Sequence, residues 1–180
     1  MVYLFLADGF EEIEALCVLD LLRRAKVDVK TVGVTGKIVN GSHNIPVVCD
    51  VLENEINTND SFDMIILPGG LPGSDNLHAS KVVDAFIKEA SKRDKFICAI
   101  CAAPYILGVR GLLNEKKATC YPGFENKLEG AICQNTGVVR DGKIITARAM
   151  GSATDFALEI IEALLGKETR EKIRASIIYN

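Results

Sequence analysis

Cys98 and Cys101 stand in the stretch FICAICAAPYILG, a Cys-x-x-Cys placed where an apolar run gives way to small residues. Cysteines at this spacing suit a redox pair, half of a metal site, or one nucleophile beside a bystander. Cys101 ends the apolar run KFICAI and is surrounded by Ala99, Ala102 and Ala103. Small neighbours suit a sharp strand-to-helix turn that projects a nucleophile. A helix starting behind the sulfur would stabilise the thiolate and lower the thiol pKa. The Ala102 amide, joined by that of Gly70, would make an oxyanion hole. The bland alternative is a buried structural cysteine. Cys98 lies three residues back, within the apolar run, and is expected in the core. A thioredoxin-type pair sets both cysteines at the helix start, past the strand. A zinc site needs two more ligands at suitable spacing, and the only histidines are His43 and His78. No metal and no cofactor is therefore expected.

Acids are the other chemical resource. Glu11, Glu12 and Glu14 follow the first apolar run, VYLFLA. At about 100° per residue, Glu11 and Glu14 share a helix face that Glu12 leaves. A glutamate pressed between apolar residues and a thiolate would hold its proton, and could donate to sulfur or shuttle a proton. Solvated acids at a helix start are the alternative for one or two of the three. No histidine occurs after His78, so a Cys-His-Glu triad with its histidine downstream of the cysteine is excluded. PGGLPG lacks the Lys-Ser/Thr of a phosphate loop, and no GxGxxG follows the first strand. Nucleotide binding is unsupported.

These residues need elements to position them, and the pattern supplies them by alternation. Buried strands are expected at 2–7, 27–34, 63–67 and 95–100. Helices are expected at 11–25, 79–92, near 102–109 and at 151–166, where Gly166 serves as the stop. Asn40-Gly41 and Asp141-Gly142 mark hairpins, and a short helix closes the chain. Apolar strands without alternation, separated by helices, imply one doubly wound domain over 1–180: a mostly parallel sheet with helices on both faces. Ligands bind such sheets at the carboxyl ends of the strands. That rim collects Asp8 to Glu14, Gly69 and Gly70, Cys101, and Arg148.

The chain has 180 residues and a net charge of −3, which argues against nucleic acid or an anionic membrane as the main partner. No apolar run approaches the ~20 residues of a membrane span, and no basic, signal-like segment precedes VYLFLADG. A cytoplasmic chain with reduced, mostly buried thiols is expected, not a disulfide framework.

GFEEIEA, DLLRRA, DMIILPGGLPG, AICAAP, ITARAMGSATDFAL and the terminal IIYN occur in one order. Together they resemble the ThiJ/PfpI superfamily, and within it the subfamily of Parkinson disease protein 7 and its bacterial relatives. The resemblance covers essentially the whole chain and implies a flavodoxin-like sandwich, usually a homodimer. It implies that Cys101 is the oxidisable nucleophile, Glu14 the protonated partner, and Gly70 and Ala102 the backbone donors. Arg24 corresponds to an arginine near the pocket at the dimer interface, and Gly69, His43, Tyr121 and Arg148 are further pocket candidates. Three departures stand out. Tyr121 occupies a position where some members carry histidine. His43 replaces an arginine, which weakens any anion site. Ala102 replaces the histidine of the intracellular-protease branch, which argues against peptidase activity.

The resemblance implies glutathione-independent glyoxalase activity on methylglyoxal, a small aldehyde, and a related repair of early glycation adducts. The alternative is a redox-responsive stress protein or chaperone in which Cys101 is oxidised to a sulfinate that alters partner binding. A thiamine-pathway role has no support in the residues.

Overall fold

The computed structural model of the protein describes residues 1–179. Its chain order is β1 (Val2–Leu6), α1 (Glu12–Arg24), β2 (Val29–Gly33), β3 (Ile38–Asn40), β4 (Pro46–Val48), β5 (Val51–Leu52), β6 (Met64–Leu67), α2 (Gly73–Ala79), α3 (Lys81–Lys92), β7 (Phe96–Ile100) and α4 (Pro104–Gly108). There follow β8 (Lys117–Ala118), β9 (Ile132–Cys133), β10 (Val138–Asp141), β11 (Ile144–Ala147), α5 (Ala153–Leu165) and α6 (Lys167–Ser176).

Seven strands form one sheet in the order β10-β11-β7-β6-β1-β2-β5. Every neighbouring pair is parallel except β10 with β11 at one edge. This is the mostly parallel α/β architecture that the apolar runs imply. The runs lack alternation because both faces are covered. Val2, Leu4 and Leu6 of β1 join a core that includes Val18 and Leu22 of α1 and Phe156 and Ile160 of α5. Tyr3 and Phe5 join a second core with Phe86 and Ile87 of α3 and Ile106 and Leu107 of α4.

The helix expected over 79–92 is α3, which begins two residues later, and the separate helix α2 before it has no expectation behind it. Ser80 takes extended backbone, and its side chain accepts from the Val83 N–H at 3.1 Å, so α3 starts at Lys81. A serine hydroxyl satisfies one of the orphan N–H groups at a helix start better than another turn of helix can. From there Val83, Phe86, Ile87 and Ala90 form a buried stripe at helical spacing. Gly166 ends α5 at φ 84°, as its position implies. The short parallel pair β8 and β9 has no expectation behind it; two-residue strands carry no periodicity to read.

The order of crossovers places the site. From β1 the chain moves to β2 on one side, then returns to β6 on the other. The segments leaving β1 and β6 therefore part at their carboxyl ends and leave a crevice, as open α/β sheets do at a switch point. Glu14 follows β1, Gly69 and Gly70 follow β6, and Cys101 follows β7.

Phe86 is fully buried, with ring centroids of Tyr3, Phe5 and Phe62 at 5.4, 5.5 and 5.3 Å. Phe86→Ala is expected to cost about 3–5 kcal/mol by lost transfer energy and a cavity. Urea unfolding checks this: the midpoint should fall at an unchanged slope.

Candidate active site

Cys101 leaves β7 with φ 65°, the left-handed region that non-glycine residues rarely adopt. Such a conformation costs on the order of 1–3 kcal/mol and persists only where its surroundings enforce it. They do so at both ends of the peptide: the Cys101 N–H donates to the Ala147 carbonyl at 2.9 Å, and the Cys101 carbonyl accepts from the Tyr121 N–H at 2.8 Å. The result is the sharp turn expected of a projected nucleophile, with Ala102 and Ala103 buried beneath it.

Glu14 lies in the first turn of α1 and is 1% exposed. One carboxyl oxygen accepts from the Gly69 N–H at 2.9 Å. Any side chain at Gly69 would collide with this oxygen and with Cβ of Cys101, so glycine here is the condition for acid and thiol to meet. Gly70 supplies φ 88°, which only glycine takes without strain. Its N–H and that of Ala102 point at the sulfur. The structure thus brings together Glu14, Gly69, Gly70, Cys101 and Ala102 from three separated segments.

The electrostatics differ from expectation in one respect. Burial pushes the Glu14 carboxyl up to about 7, with the Cys101 and Gly69 hydrogen bonds and the nearby Glu11 charge as smaller influences. Burial also pushes the Cys101 thiol up to about 12, aided by the charge and hydrogen bond of Glu14, against the two N–H donors. The expected lowering by a helix behind the sulfur does not occur. α4 has only five residues and begins three residues beyond Cys101, too short and too displaced to offset desolvation. The thiol is the favoured form, and Glu14 is the acid poised near neutrality.

Glu12 reverses another expectation. It does not turn away to solvent but is 3% exposed. Its carboxyl accepts from the His43 N–H at 2.7 Å and the Ser42 hydroxyl at 3.1 Å, and meets His43 Nδ1 at 2.8 Å. Burial alone would raise it; these partners outweigh burial and hold it at about 2. Glu11 is the N-cap, with its side chain on the Ile13 N–H. Ligand atoms of Glu11, Glu12 and His43 lie within 4.8 Å of one another, but Glu12 is already engaged in clamping the β3–β4 hairpin to α1. No local signal announces this clamp, since its partners are about 30 residues apart.

The remaining candidates scatter. His43 is on the hairpin tip, largely exposed, its pKa raised by the hydrogen bond it gives to Glu12. Tyr121 is half exposed and tied to Cys101 through its backbone. Arg148 turns to Asn135. Arg24 is not brought to the site: it ends α1 and pairs with Asp20. Cys98 is fully buried in the core. Cys133 departs from the expectation of mostly buried thiols and is exposed. Larger clefts, of about 450 and 560 Å³, open at the amino ends of the strands around Lys95, Phe96 and Lys143; neither holds a nucleophile beside a buried acid.

With this geometry in hand, comparison with known proteins is specific. The family model described as DJ-1/PfpI matches residues 1–163. Protein DJ-1 homolog B of Arabidopsis thaliana is 39% identical over 96% of the chain, and the chain spans only 40% of that relative's length. A Caenorhabditis elegans protein named glutathione-independent glyoxalase DJR-1.2 is 34% identical over 88% of the chain and 84% of its own. The crystal structure of a DJ-1 superfamily protein from Salmonella typhimurium superposes with a TM-score of 0.94 at 35% identity, covering 99% of this chain and 98% of that one.

The raised Glu14 pKa has a consequence for stability. The folded state holds this proton more tightly than the unfolded chain, whose carboxyl titrates near 4.5. The contribution is therefore complete below pH 4.5 and is lost as pH rises through about 7. Glu14→Gln, which cannot ionise, should gain on the parent by about 3 kcal/mol between those limits. Urea midpoints of both proteins at pH about 4.5 and about 8 measure it. A difference that is flat with pH, or that grows toward acid, means Glu14 is held as a carboxylate.

Proposed function

The chain belongs to the DJ-1/PfpI family, and from that premise we propose that it is a cysteine-dependent, glutathione-independent glyoxalase acting on methylglyoxal or a similarly small α-dicarbonyl. The observation that carries this reading is the Glu14–Cys101 pair: an acid with a pKa of about 7 against a thiol flanked by two backbone N–H donors. The relative named as a glyoxalase supports it.

The chemistry follows from where the proton rests. Glu14 as carboxylate takes the thiol proton while sulfur attacks the aldehyde carbon, and a hemithioacetal forms. Glu14 then moves a proton from that carbon to the neighbouring carbonyl carbon, through an enediol, to leave a lactoyl thioester. Water hydrolyses the thioester, and lactate and the free thiol result. Gly70 and Ala102 donate where negative charge gathers; such donors are worth about 3–4 kcal/mol each. A thiol held high is unreactive alone, so a base within hydrogen-bonding reach is the feature the reaction needs. Early glycation adducts carry the same hemithioacetal-forming chemistry and are a second substrate class on this reading.

We also propose that the working form is a homodimer. Ile13 at the start of α1 and Ile38, Ile45 and Val48 on the clamped hairpin expose large apolar side chains, Val48 to 67%. A second copy is the occupant that the family resemblance implies. Sedimentation should give a dimer, and Val48→Asp should shift it to monomer; a monomeric parent overturns this.

Lactate formation from methylglyoxal by the purified protein tests the reaction. Cys101→Ser should lose turnover altogether, and Glu14→Gln should lose about 10²–10⁴-fold. Full turnover in Glu14→Gln removes the proton shuttle. A parent no faster than Cys101→Ser removes the enzyme, and Cys101 is then better read as an oxidation sensor.

A further inference from the structure

A second pair of thiols lies behind the turn that carries Cys101. β8 and β9 run parallel with Ala118 opposite Cys133, and Cys120 stands two residues beyond Ala118. Cys120 is buried and Cys133 exposed. Both line one cavity of about 120 Å³, together with Glu125 and Arg148. That volume is well below the ~300 Å³ of an ordinary small-molecule site, so each thiol's natural reaction partner there is the other. Cys133 Sγ lies 4.0 Å from the Glu125 carbonyl, and the Glu125 carboxylate acts on both sulfurs. Neither cysteine belongs to the Glu14–Cys101 site.

We propose that Cys120 and Cys133 are a second redox site, closed into a reversible intramolecular disulfide by peroxide. The Cys133 thiolate, reached from solvent, attacks a peroxide oxygen: an S–O bond forms, the O–O bond breaks, and one water leaves. Cys120 gives its proton to solvent and attacks the sulfenyl sulfur: S–S forms, S–O breaks, and the second water leaves. The two thiols are oxidised by two electrons, and the peroxide is reduced by two. A diagonal pair in a parallel ladder has its Cα atoms about 8 Å apart, from about 4.8 Å across and 6.6 Å along. Disulfides close at about 4.4–6.8 Å, so β9 must slide toward the end of β8. That slide breaks the hydrogen bonds from Ile132 N–H to the Lys116 carbonyl and from Gln134 N–H to the Ala118 carbonyl, both 2.8 Å; a two-residue strand exposed at both positions regains them from water. Cys120 itself cannot move far: Thr119 N–H is held by Thr146 Oγ1 at 3.0 Å, and Tyr121 N–H by the Cys101 carbonyl at 2.8 Å. Burial, reinforced by Glu125, raises both thiols. The reaction is therefore slow near neutrality and gains about tenfold in rate per pH unit as the thiolate fraction grows.

The test uses a Cys101→Ala background, so that oxidation of Cys101 does not intrude. The protein is treated with hydrogen peroxide, free thiols are alkylated after unfolding, and a non-reducing digest is read by mass spectrometry. Expected are a peptide joining Cys120 to Cys133, the loss of two alkylatable thiols per chain, and their return with dithiothreitol. Cys133→Ser, and independently Cys120→Ala, should abolish the cross-link. Cys133 carried to a sulfinate or sulfonate while Cys120 stays alkylatable overturns the proposal. So does a cross-link from Cys133 to any other cysteine or to a second chain. The readout is covalent, so it stands or falls independently of glyoxalase turnover.

Discussion

Two acids compete for protons, one of them buried and the other half-buried, and most of the local structure exists to let them meet. Glu14 and Cys101 are each pushed upward by burial. Desolvation disfavours their charged forms, and the charge of one disfavours the charge of the other. The contact survives because Gly69 has no side chain to intervene and gives its N–H to the carboxyl. It survives also because Cys101 accepts a left-handed backbone that its neighbours pin by two hydrogen bonds. Relieving either constraint would separate the thiol from its base.

The wider fold supplies the stiffness this needs. Every member of the site sits just beyond a parallel strand buried on both faces. Close-packed interiors resist small displacements, so groups fixed to the strand ends hold their separations. The larger clefts at the other end of the strands illustrate the contrast: they have volume but no cysteine beside a buried acid.

Environment also separates two glutamates of one helix turn. Glu12 and Glu14 are both buried, yet one is held at about 2 and the other rises to about 7. Glu12 faces several donors on the hairpin; Glu14 faces a thiol and the backbone N–H groups of Gly69 and Met150, which do not offset its burial. Buried carboxylates follow their donors. The first acid can then fasten the hairpin as an anion while the second exchanges a proton.

The sequence by itself determined the alternation of strands and helices, the helix stop at Gly166, the turn at Cys101 and the distinction between Cys101 and Cys98. These rest on local periodicity, on glycine and on small neighbours, which act over a few residues. Helical spacing narrowed the three acids to Glu11 and Glu14, and the resemblance to the family chose Glu14 between them. The charge state of the thiol, the burial of Glu12, the distance of Arg24 from the site and the meeting of Cys120 and Cys133 in one cavity were decided only by the tertiary structure. Each depends on desolvation or on partners tens of residues away. No pattern along the chain encodes how much water a group has lost or which distant donor it has found.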